Sequence, residues 1–220
     1  MEKEPAKTRK AGRSDARRGR EPAQPRPAGP APDAARLREA ALAHLARFAA
    51  TEAGLTRVLQ RRIDRWARRA EAEGQPVERI AAAMIAARAD AAEVARRLSV
   101  AGAVDDAAFA ASRARRLNQA GRSQRAIQAH LASKGVRPET AAAVLEEAPP
   151  DDLAAALGYL RRRRAGPFAP RDSGEPLPPE ARLKALAALA RAGFTRDMAE
   201  RALDMEPEAA EERLLASRRG

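Results

Sequence analysis

The residue types that perform most enzyme chemistry are scarce in this chain of 220 residues. It has two histidines, His44 and His130, and no cysteine. The two histidines stand far apart in sequence, and a catalytic site needs a set of partner groups around such a side chain. We therefore expect both to be structural or surface residues.

Two adjacent carboxylate pairs are the next candidates, at Asp105-Asp106 and at Asp151-Asp152. Paired carboxylates can hold a metal ion or divide acid and base work between them. Each pair also stands where a helical pattern begins, and an aspartate at that position accepts hydrogen bonds from unpaired backbone N–H groups. Because capping explains both pairs, we expect no metal site, no cofactor and no enzymatic activity.

Arginine clusters are the chemical feature that the sequence does offer. A guanidinium group forms paired hydrogen bonds with phosphate or carboxylate, which lysine does not reproduce. Aromatic residues are only 3% of the chain, so base stacking is not expected as the main binding mode. A run of charge is explained equally well as a solvated helix face. The candidate contacts to a polyanion are Arg96, Arg97, Arg113, Arg116, Arg122, Arg125, Lys134, Arg161, Arg162, Arg163 and Arg164.

Composition narrows the class of protein. The net charge of +12 and the isoelectric point near 11.2 favour a nucleic-acid partner, although abundant Arg, Ala and Pro also reflect a high-GC coding bias. The absence of cysteine rules out disulfides and fits a reducing cytoplasm. No run of about 18 apolar residues exists, so we expect no membrane span and a cytoplasmic protein.

One recurrent pattern predicts the elements that position these side chains. A glycine just past a helix end can take the left-handed conformation, and the next residue then folds back onto the residue five before it. A leucine followed four residues later by such a glycine, and then at once by an apolar residue, occurs three times. The sites are Leu98 with Gly102, Leu131 with Gly135 and Val136, and Leu189 with Gly193 and Phe194. The pattern predicts one small helical unit used repeatedly.

Further start and stop signals indicate an all-α protein of three tandem three-helix repeats. Asp105 is predicted to cap a helix that ends at Gly121, with Val104 and Phe109 packing across the cap. Ser123 is predicted to cap the next helix, which buries Ile127 and Leu131. We expect one helix to end near Arg88 and another to begin near Ala91. Phe48 is placed on the apolar face of the first helix, with Leu37, Ala41 and Leu45.

Five segments follow from these signals. A tail with nine basic and five acidic residues has no apolar periodicity and is expected to be disordered. The predicted segments are a Pro/Ala-rich tail at 1–33, repeat 1 at 34–90, repeat 2 at 91–148, repeat 3 at 149–206 with a Pro-rich insertion at 166–179, and a charged, frayed C-terminus at 207–220.

The second and third repeats match each other position by position. Leu131, Gly135, Val136, Ala141 and Leu145 correspond to residues 58 positions later, which are Leu189, Gly193, Phe194, Ala199 and Leu203. In the first repeat, Leu59 and Ile63 stand where Ile127 and Leu131 stand, but the terminal glycine is missing. Such units bury their apolar faces by stacking in sequence.

The central part of the chain resembles the middle repeat of the RecX family, bacterial modulators of the RecA recombinase. The family's pattern is a glycine stop, an Asp-Asp-x-x-Phe-Ala opening, a basic helix and a Leu-x-x-Lys-Gly-aliphatic ending. The matching residues are Leu98, Gly102, Asp105, Asp106, Phe109, Ala110, Arg113, Gly121, Ile127, Leu131, Lys134, Gly135 and Val136. The resemblance extends over roughly residues 36–206. The Pro-rich insertion, the missing first glycine, and Ala103 and Ala107 in place of larger residues depart from the pattern.

The resemblance implies a curved, elongated body of three tandem units. It also implies binding along the groove of the RecA filament on single-stranded DNA, with restraint of filament growth, ATP hydrolysis, strand exchange and coprotease activity. We expect a monomer whose basic faces meet phosphates and RecA carboxylates. Two alternatives stay open: a helical adaptor that uses its charge only for solubility, and an independent nucleic-acid-binding protein with helix-turn-helix-like pairs.

Overall fold

The computed structural model describes residues 27–170 and 177–217, and within these residues all regular structure is helical. This confirms the all-α prediction. The helices are α1 (Ala34–Leu45), α2 (Glu52–Ala72), α3 (Val77–Val100), α4 (Asp106–Gln119), α5 (Gln124–Lys134), α6 (Pro138–Glu147), α7 (Asp152–Arg163), α8 (Pro179–Arg191), α9 (Arg196–Leu203) and α10 (Pro207–Ala216), with a 3-10 turn at Gly166–Phe168. No described helix is both long and apolar enough to cross a bilayer.

Three hydrophobic cores divide the described helices into units, and a smaller cluster around Trp66 and Ile80 lies within the first unit. The first unit is α1–α3, built around Leu55, Leu59 and Ile63, whose side chains have no exposed surface. The second unit is α4–α6, with Ile127 and Leu131 fully buried. The third unit is α7–α9, and α10 adds the buried side chains of Ala210 and Leu214 to the same core as Leu189.

The predicted glycine stops are confirmed in all three places. The backbone φ angles of Gly102, Gly135 and Gly193 are +73°, +85° and +88°. The N–H of Val136 donates to the Leu131 carbonyl, and the N–H of Phe194 donates to the Leu189 carbonyl, both at 3.1 Å. Since Val136 and Phe194 are also buried, each helix end closes in the same way, and the two units share one local design.

Several expectations about segment ends are wrong. No break occurs near Arg88–Ala91, because α3 runs unbroken from Val77 to Val100 and the boundary placed at 90/91 lies inside it. No glycine or proline interrupts this stretch, and Ala87, Ala91 and Leu98 keep one buried face through it. Helix α1 ends at Leu45, so Phe48 lies beyond it and is 52% exposed rather than on an apolar face.

Residues 27–33 and 207–216 pack on the helical units, which differs from the expected disordered tail and frayed C-terminus. Residues 27–33 pack on the first unit: the Trp66 indole Nε1 donates to the Gly29 carbonyl at 3.1 Å, and the Ala28 N–H donates to Glu73 Oε1 at 2.6 Å. The rest of the predicted tail, residues 1–26, lies outside the described residues. The predicted frayed C-terminus is helix α10 over most of its length, because its apolar residues reach the third core.

Two further segments differ from the sequence expectation. The first unit does have a glycine stop, at Gly74 with φ +73°, but it comes 11 residues after Ile63 because α2 is longer than its counterparts. In the Pro-rich insertion, Gly166 and Pro167 are buried in the 3-10 turn rather than in an irregular loop. Residues 171–176 of this insertion lie outside the described residues.

Consecutive units are joined by one hydrogen-bond pattern that occurs twice. Thr51, the N-cap of α2, accepts from the Gly54 N–H and donates to the Lys134 carbonyl at 2.6 Å. Ser123, the N-cap of α5, accepts from the Ala126 N–H. It also donates across to the third unit, at the Ala192 carbonyl, over 2.8 Å. Each cap of a second helix therefore binds the C-terminal end of the second helix in the next unit.

The aspartate pairs complete this junction. Asp105 and Asp151 cap their own helices, as predicted. The second aspartate of each pair reaches the preceding unit: Asp106 Oδ1 accepts from the Glu52 N–H at 2.9 Å, and Asp152 Oδ1 accepts from the Gln124 N–H at 2.7 Å. Each pair thus caps two helices in two units, which fixes the position of one unit on the next.

The third unit lacks the residues that would continue the series. The second helix of this unit is α8, with Pro178 at the N-cap and Pro179 at its first position. Pro178 makes no side-chain cap, and Pro179 has no N–H to donate to a further aspartate. The pattern of contacts between units therefore ends with the third.

Candidate nucleic-acid interface

A groove of about 950 Å³ lies between the first and second units. We call it the inter-unit groove. Its walls are the end of α1, the connection 46–51, the first turns of α2, the α3–α4 turn and one side of α4. Its basic residues are Arg47, Arg57, Arg61, Arg113, Arg116 and Lys134, whereas Asp105 is the one carboxylate among the lining residues. Charge of one sign in a concave surface concentrates the field and attracts polyanions.

The junction between the units positions the cations on the α2 side. Thr51 anchors the start of α2 to the end of α5, which brings Lys134 to the groove. Arg57 Nη2 donates to the Lys134 carbonyl at 2.7 Å, so this guanidinium binds the last turn of α5 through a neutral acceptor. Arg61 lies one helical turn further along the same side of α2.

The α4 wall contributes Arg113 and Arg116. Arg113 Nε donates to His130 Nε2 at 2.9 Å, which requires that imidazole nitrogen to be unprotonated. Burial, followed by the charges of Arg113, Lys134 and Arg122, lowers the pKa of His130 below its usual 6.5. The histidine therefore orients Arg113 without taking its charge away, and Arg116 lies exposed one turn later.

An exposed aromatic ring also lines the groove. Phe48 is 52% exposed, with the Arg47 guanidinium carbon 5.4 Å from its ring centre and the His44 ring 5.2 Å away. Phe48 lies beyond the end of α1 and belongs to none of the buried cores, and the stacked arginine supports its ring from one side. The groove thus combines cations with an accessible apolar ring.

The remaining predicted cations lie elsewhere, mostly with partners. Arg96 and Arg97 both bind the Glu93 carboxylate, at 2.9 and 2.6 Å, and these hydrogen bonds lower the pKa of Glu93 to about 2. Arg122 and Arg125 are exposed at the start of α5, near the second junction, and have no ion pair among the described residues.

The dense run Arg161–Arg164 does not form a single face. Arg161 Nη1 lies 3.4 Å from Glu211 Oε2, and Arg163 stacks on Tyr159 with 4.8 Å to the ring centre. The Arg162 guanidinium lies where a side chain on Gly121 would stand. Arg164 adopts a left-handed conformation, φ +49°, at the end of α7. Arg161, Arg162 and Arg163 thus lie against different neighbours, and the run presents no single face.

Three of the groove's cations, Arg113, Arg116 and Lys134, are among those predicted from the sequence, whereas Arg47, Arg57 and Arg61 are not. The spacing of Arg57 and Arg61 on one helix side was a usable signal. Arg47 and Phe48 gave none, because their role depends on α1 ending three residues earlier than the apolar pattern indicates.

The fold and the groove define a class, an all-helical protein of tandem three-helix units with a basic groove between two of them. Residues 105–145, which coincide with the second unit, match the family model described as RecX, second three-helix domain. The chain is 34% identical over 198 residues to the regulatory protein RecX of Myxococcus xanthus strain DK1622, covering 89% of this chain and 97% of that protein. It is 35% identical over 110 residues to the regulatory protein RecX of Agrobacterium fabrum strain C58, covering 50% and 56%. The chain belongs to the RecX family.

Proposed function

We propose that this chain is a non-enzymatic regulator of RecA that binds the RecA filament on single-stranded DNA. In this proposal it acts as a monomer in the cytoplasm and restrains filament extension, ATP hydrolysis, strand exchange and coprotease activity, and so controls DNA repair, recombination and the SOS response. The observation that supports it most strongly is the similarity to the Myxococcus regulatory protein RecX, which extends over nearly the whole of both chains.

The junctions give a physical reason why such a protein could act on a filament. Two equivalent sets of hydrogen bonds join three units in series, so the units present their surfaces in fixed order. A filament also repeats its surface in fixed order, and a series of linked contacts gains affinity over separate ones. The elongated, curved shape that the resemblance implies is part of this proposal.

The charge of the chain fits the same partner. A RecA filament on DNA offers phosphates and protein carboxylates, and guanidinium groups bind both. The groove cations and the exposed Arg122 and Arg125 are the surfaces that we assign to this contact. Arg96, Arg97 and Arg161 would have to exchange a carboxylate of their own chain for one of the partner.

The test is RecA ATP hydrolysis on single-stranded DNA, measured with increasing amounts of the protein over a salt series. We expect inhibition at low salt that weakens as salt rises, with about 0.7 log units of affinity per tenfold salt for each phosphate neutralised. Unchanged ATP hydrolysis at low salt, with the protein in excess over RecA, would end this proposal.

A further inference from the structure

We propose that the first unit has a binding site for a proline-rich segment of a partner protein, and that residues 27–33 of this chain occupy the site as a competitor in cis. We call these seven residues the strap and the surface beneath them the strap site. The proposal goes beyond the proposed function, because it concerns a different surface and requires neither RecA nor nucleic acid.

The strap site is built from extra length in two helices of the first unit. Helix α2 has 21 residues and α3 has 24, whereas α5 and α6, their counterparts in the second unit, have 11 and 10. The added turns form a small apolar cluster beside the main core, whose buried members are Trp66, Ala67, Ala70 and Ile80. Two helices leave one side of such a cluster open, and the strap covers it with Ala28 and Ala31.

The contacts of the strap are those of a bound peptide. The indole Nε1 of Trp66 donates to the Gly29 carbonyl at 3.1 Å, and the ring itself is 7% exposed. Glu73 Oε1 accepts from the N–H of the preceding residue, Ala28, at 2.6 Å. The site therefore binds two consecutive backbone groups and offers an aromatic surface beside them, as domains that recognise proline-rich peptides do.

The sequence of the strap defines the class of ligand. It reads Pro-Ala-Gly-Pro-Ala-Pro-Asp, and Pro32 is buried. Proline has a fixed φ angle and no N–H, so such a segment loses little conformational freedom on binding and leaves few donors unpaired on an apolar surface. Gly29 has a φ angle of +66°, in the left-handed region that favours glycine. The ligand is therefore a proline-rich segment with a glycine at this position.

A segment of another protein fits the site better than a second copy of this chain does. The strap leads directly into α1, whose N-cap Asp33 accepts from the Arg36 N–H at 2.9 Å, and this attachment leaves the strap little reach toward another copy. The Glu73 carboxylate disfavours a polyanion. Val77, one turn before Ile80 on α3, is 69% exposed, so the apolar surface continues past the strap.

The experiment uses a full-chain variant in which the strap is displaced, Ala28→Glu with Pro32→Glu. One substitution places a carboxylate beside Glu73, and the other places a charge at a buried position. The matched control, Pro27→Glu with Pro30→Glu, makes the same charge change at two exposed positions of the strap. The probe is a fluorescent peptide with the sequence of residues 27–33, followed by anisotropy. We expect the displaced variant to bind it at least about tenfold more tightly than the control, in which the strap competes at high effective concentration.

A change in the peptide alone tests the recognition without altering the protein. The Gly29→Ala version of the peptide should bind the displaced variant about five- to thirtyfold more weakly, because alanine resists the left-handed conformation. A Cβ at this position meets nothing within 4 Å, so the loss reports the backbone conformation. Adding Trp66→Phe to the displaced variant keeps a ring but removes the donor, and should weaken binding of the unchanged peptide about fivefold.

Circular dichroism checks that each variant is folded. If the displaced variant does not fold, Gly29→Ala in the full chain replaces it. That change weakens the competitor in cis, so the unchanged peptide should bind up to about five- to thirtyfold more tightly than it binds the unsubstituted chain. Absence of saturable binding, equal affinity for the two peptides, or equal affinity of the displaced and control variants would each overturn the proposal. Self-association of the unsubstituted chain that the free peptide reverses would also overturn it, by assigning the site to a second copy.

Discussion

Replacing Gly135 with alanine tests whether the helix stops also serve as contacts between units. Gly135 has φ +85°, and a Cβ placed there would overlap the Cβ of Ala53 at the start of α2. Gly102 provides a matched control, since it has φ +73° at a helix end but open space around it. Gly102→Ala should therefore report only the cost of a left-handed alanine.

The expected losses in unfolding free energy follow from two costs, the left-handed backbone and the overlap with Ala53. A left-handed conformation costs a non-glycine residue about 1–2 kcal/mol, which is the whole effect expected for Gly102→Ala. Gly135→Ala adds overpacking of about 1–3 kcal/mol, because the Ala53 Cβ is fixed to the backbone and cannot rotate away. The expected loss in unfolding free energy is thus about 2–5 kcal/mol.

The assay is urea unfolding followed both by circular dichroism at the helix band and by the fluorescence of Trp66, the one tryptophan, which is in the first unit. In Gly135→Ala the tryptophan transition should separate from the circular dichroism transition, because the variant weakens the link between the first unit and the second. In Gly102→Ala the two should stay together. If both variants lose the same free energy within about 0.5 kcal/mol, the stop glycines have no role between units and the reasoning is refuted.

The other predictions concern caps, protonation and the N-terminal segment. Ser123→Ala should cost about 2–3 kcal/mol of unfolding free energy in urea, since it removes both a helix cap and the donor to the Ala192 carbonyl. Thr195→Ala removes a cap alone and should cost about 1 kcal/mol. Equal losses in the two variants would contradict this prediction. The native pKa of His130 is lowered, so the unfolded chain binds its proton first and stability should fall as pH decreases below about 6.5. A His130→Gln variant should lack that part of the pH dependence, and an unchanged profile would exclude His130 as its cause. Deleting residues 1–33 should shift the fluorescence emission of Trp66 to the red, because the Gly29 carbonyl no longer binds its indole nitrogen. Deleting residues 1–26 should leave the emission unchanged. A red shift in both variants would contradict the assignment of this contact to Gly29.

Local signals made much of the fold predictable from sequence. The caps at Asp105, Ser123 and Asp151 and the stops at Gly135 and Gly193 depend on backbone groups within one helical turn. Because residues close together in sequence determine these hydrogen bonds, the sequence pattern predicts them correctly. The continuity of α3 was missed because alanine and arginine give little apolar periodicity, although no residue there breaks a helix.

The contacts between units could not be read in the same way. Asp106 was interpreted as part of a cap, but it binds the N–H of a residue 54 positions earlier. The groove likewise unites Arg47, Arg61 and Arg116 from three separate segments. Conversely, Arg161–Arg164 are adjacent in sequence but do not share one face, because consecutive residues on a helix point in different directions. Spatial neighbours of this kind depend on how units pack, which no local pattern encodes.

We propose that this chain restrains RecA on single-stranded DNA. The most direct measurement is RecA-promoted strand exchange between a circular single strand and a linear duplex, with the full chain added at increasing ratios to RecA in low salt. We predict that joint molecules and exchanged product decrease as the protein is added, and that product returns when salt is raised to a level RecA itself tolerates. Strand exchange that proceeds at the same rate at every ratio would contradict the account.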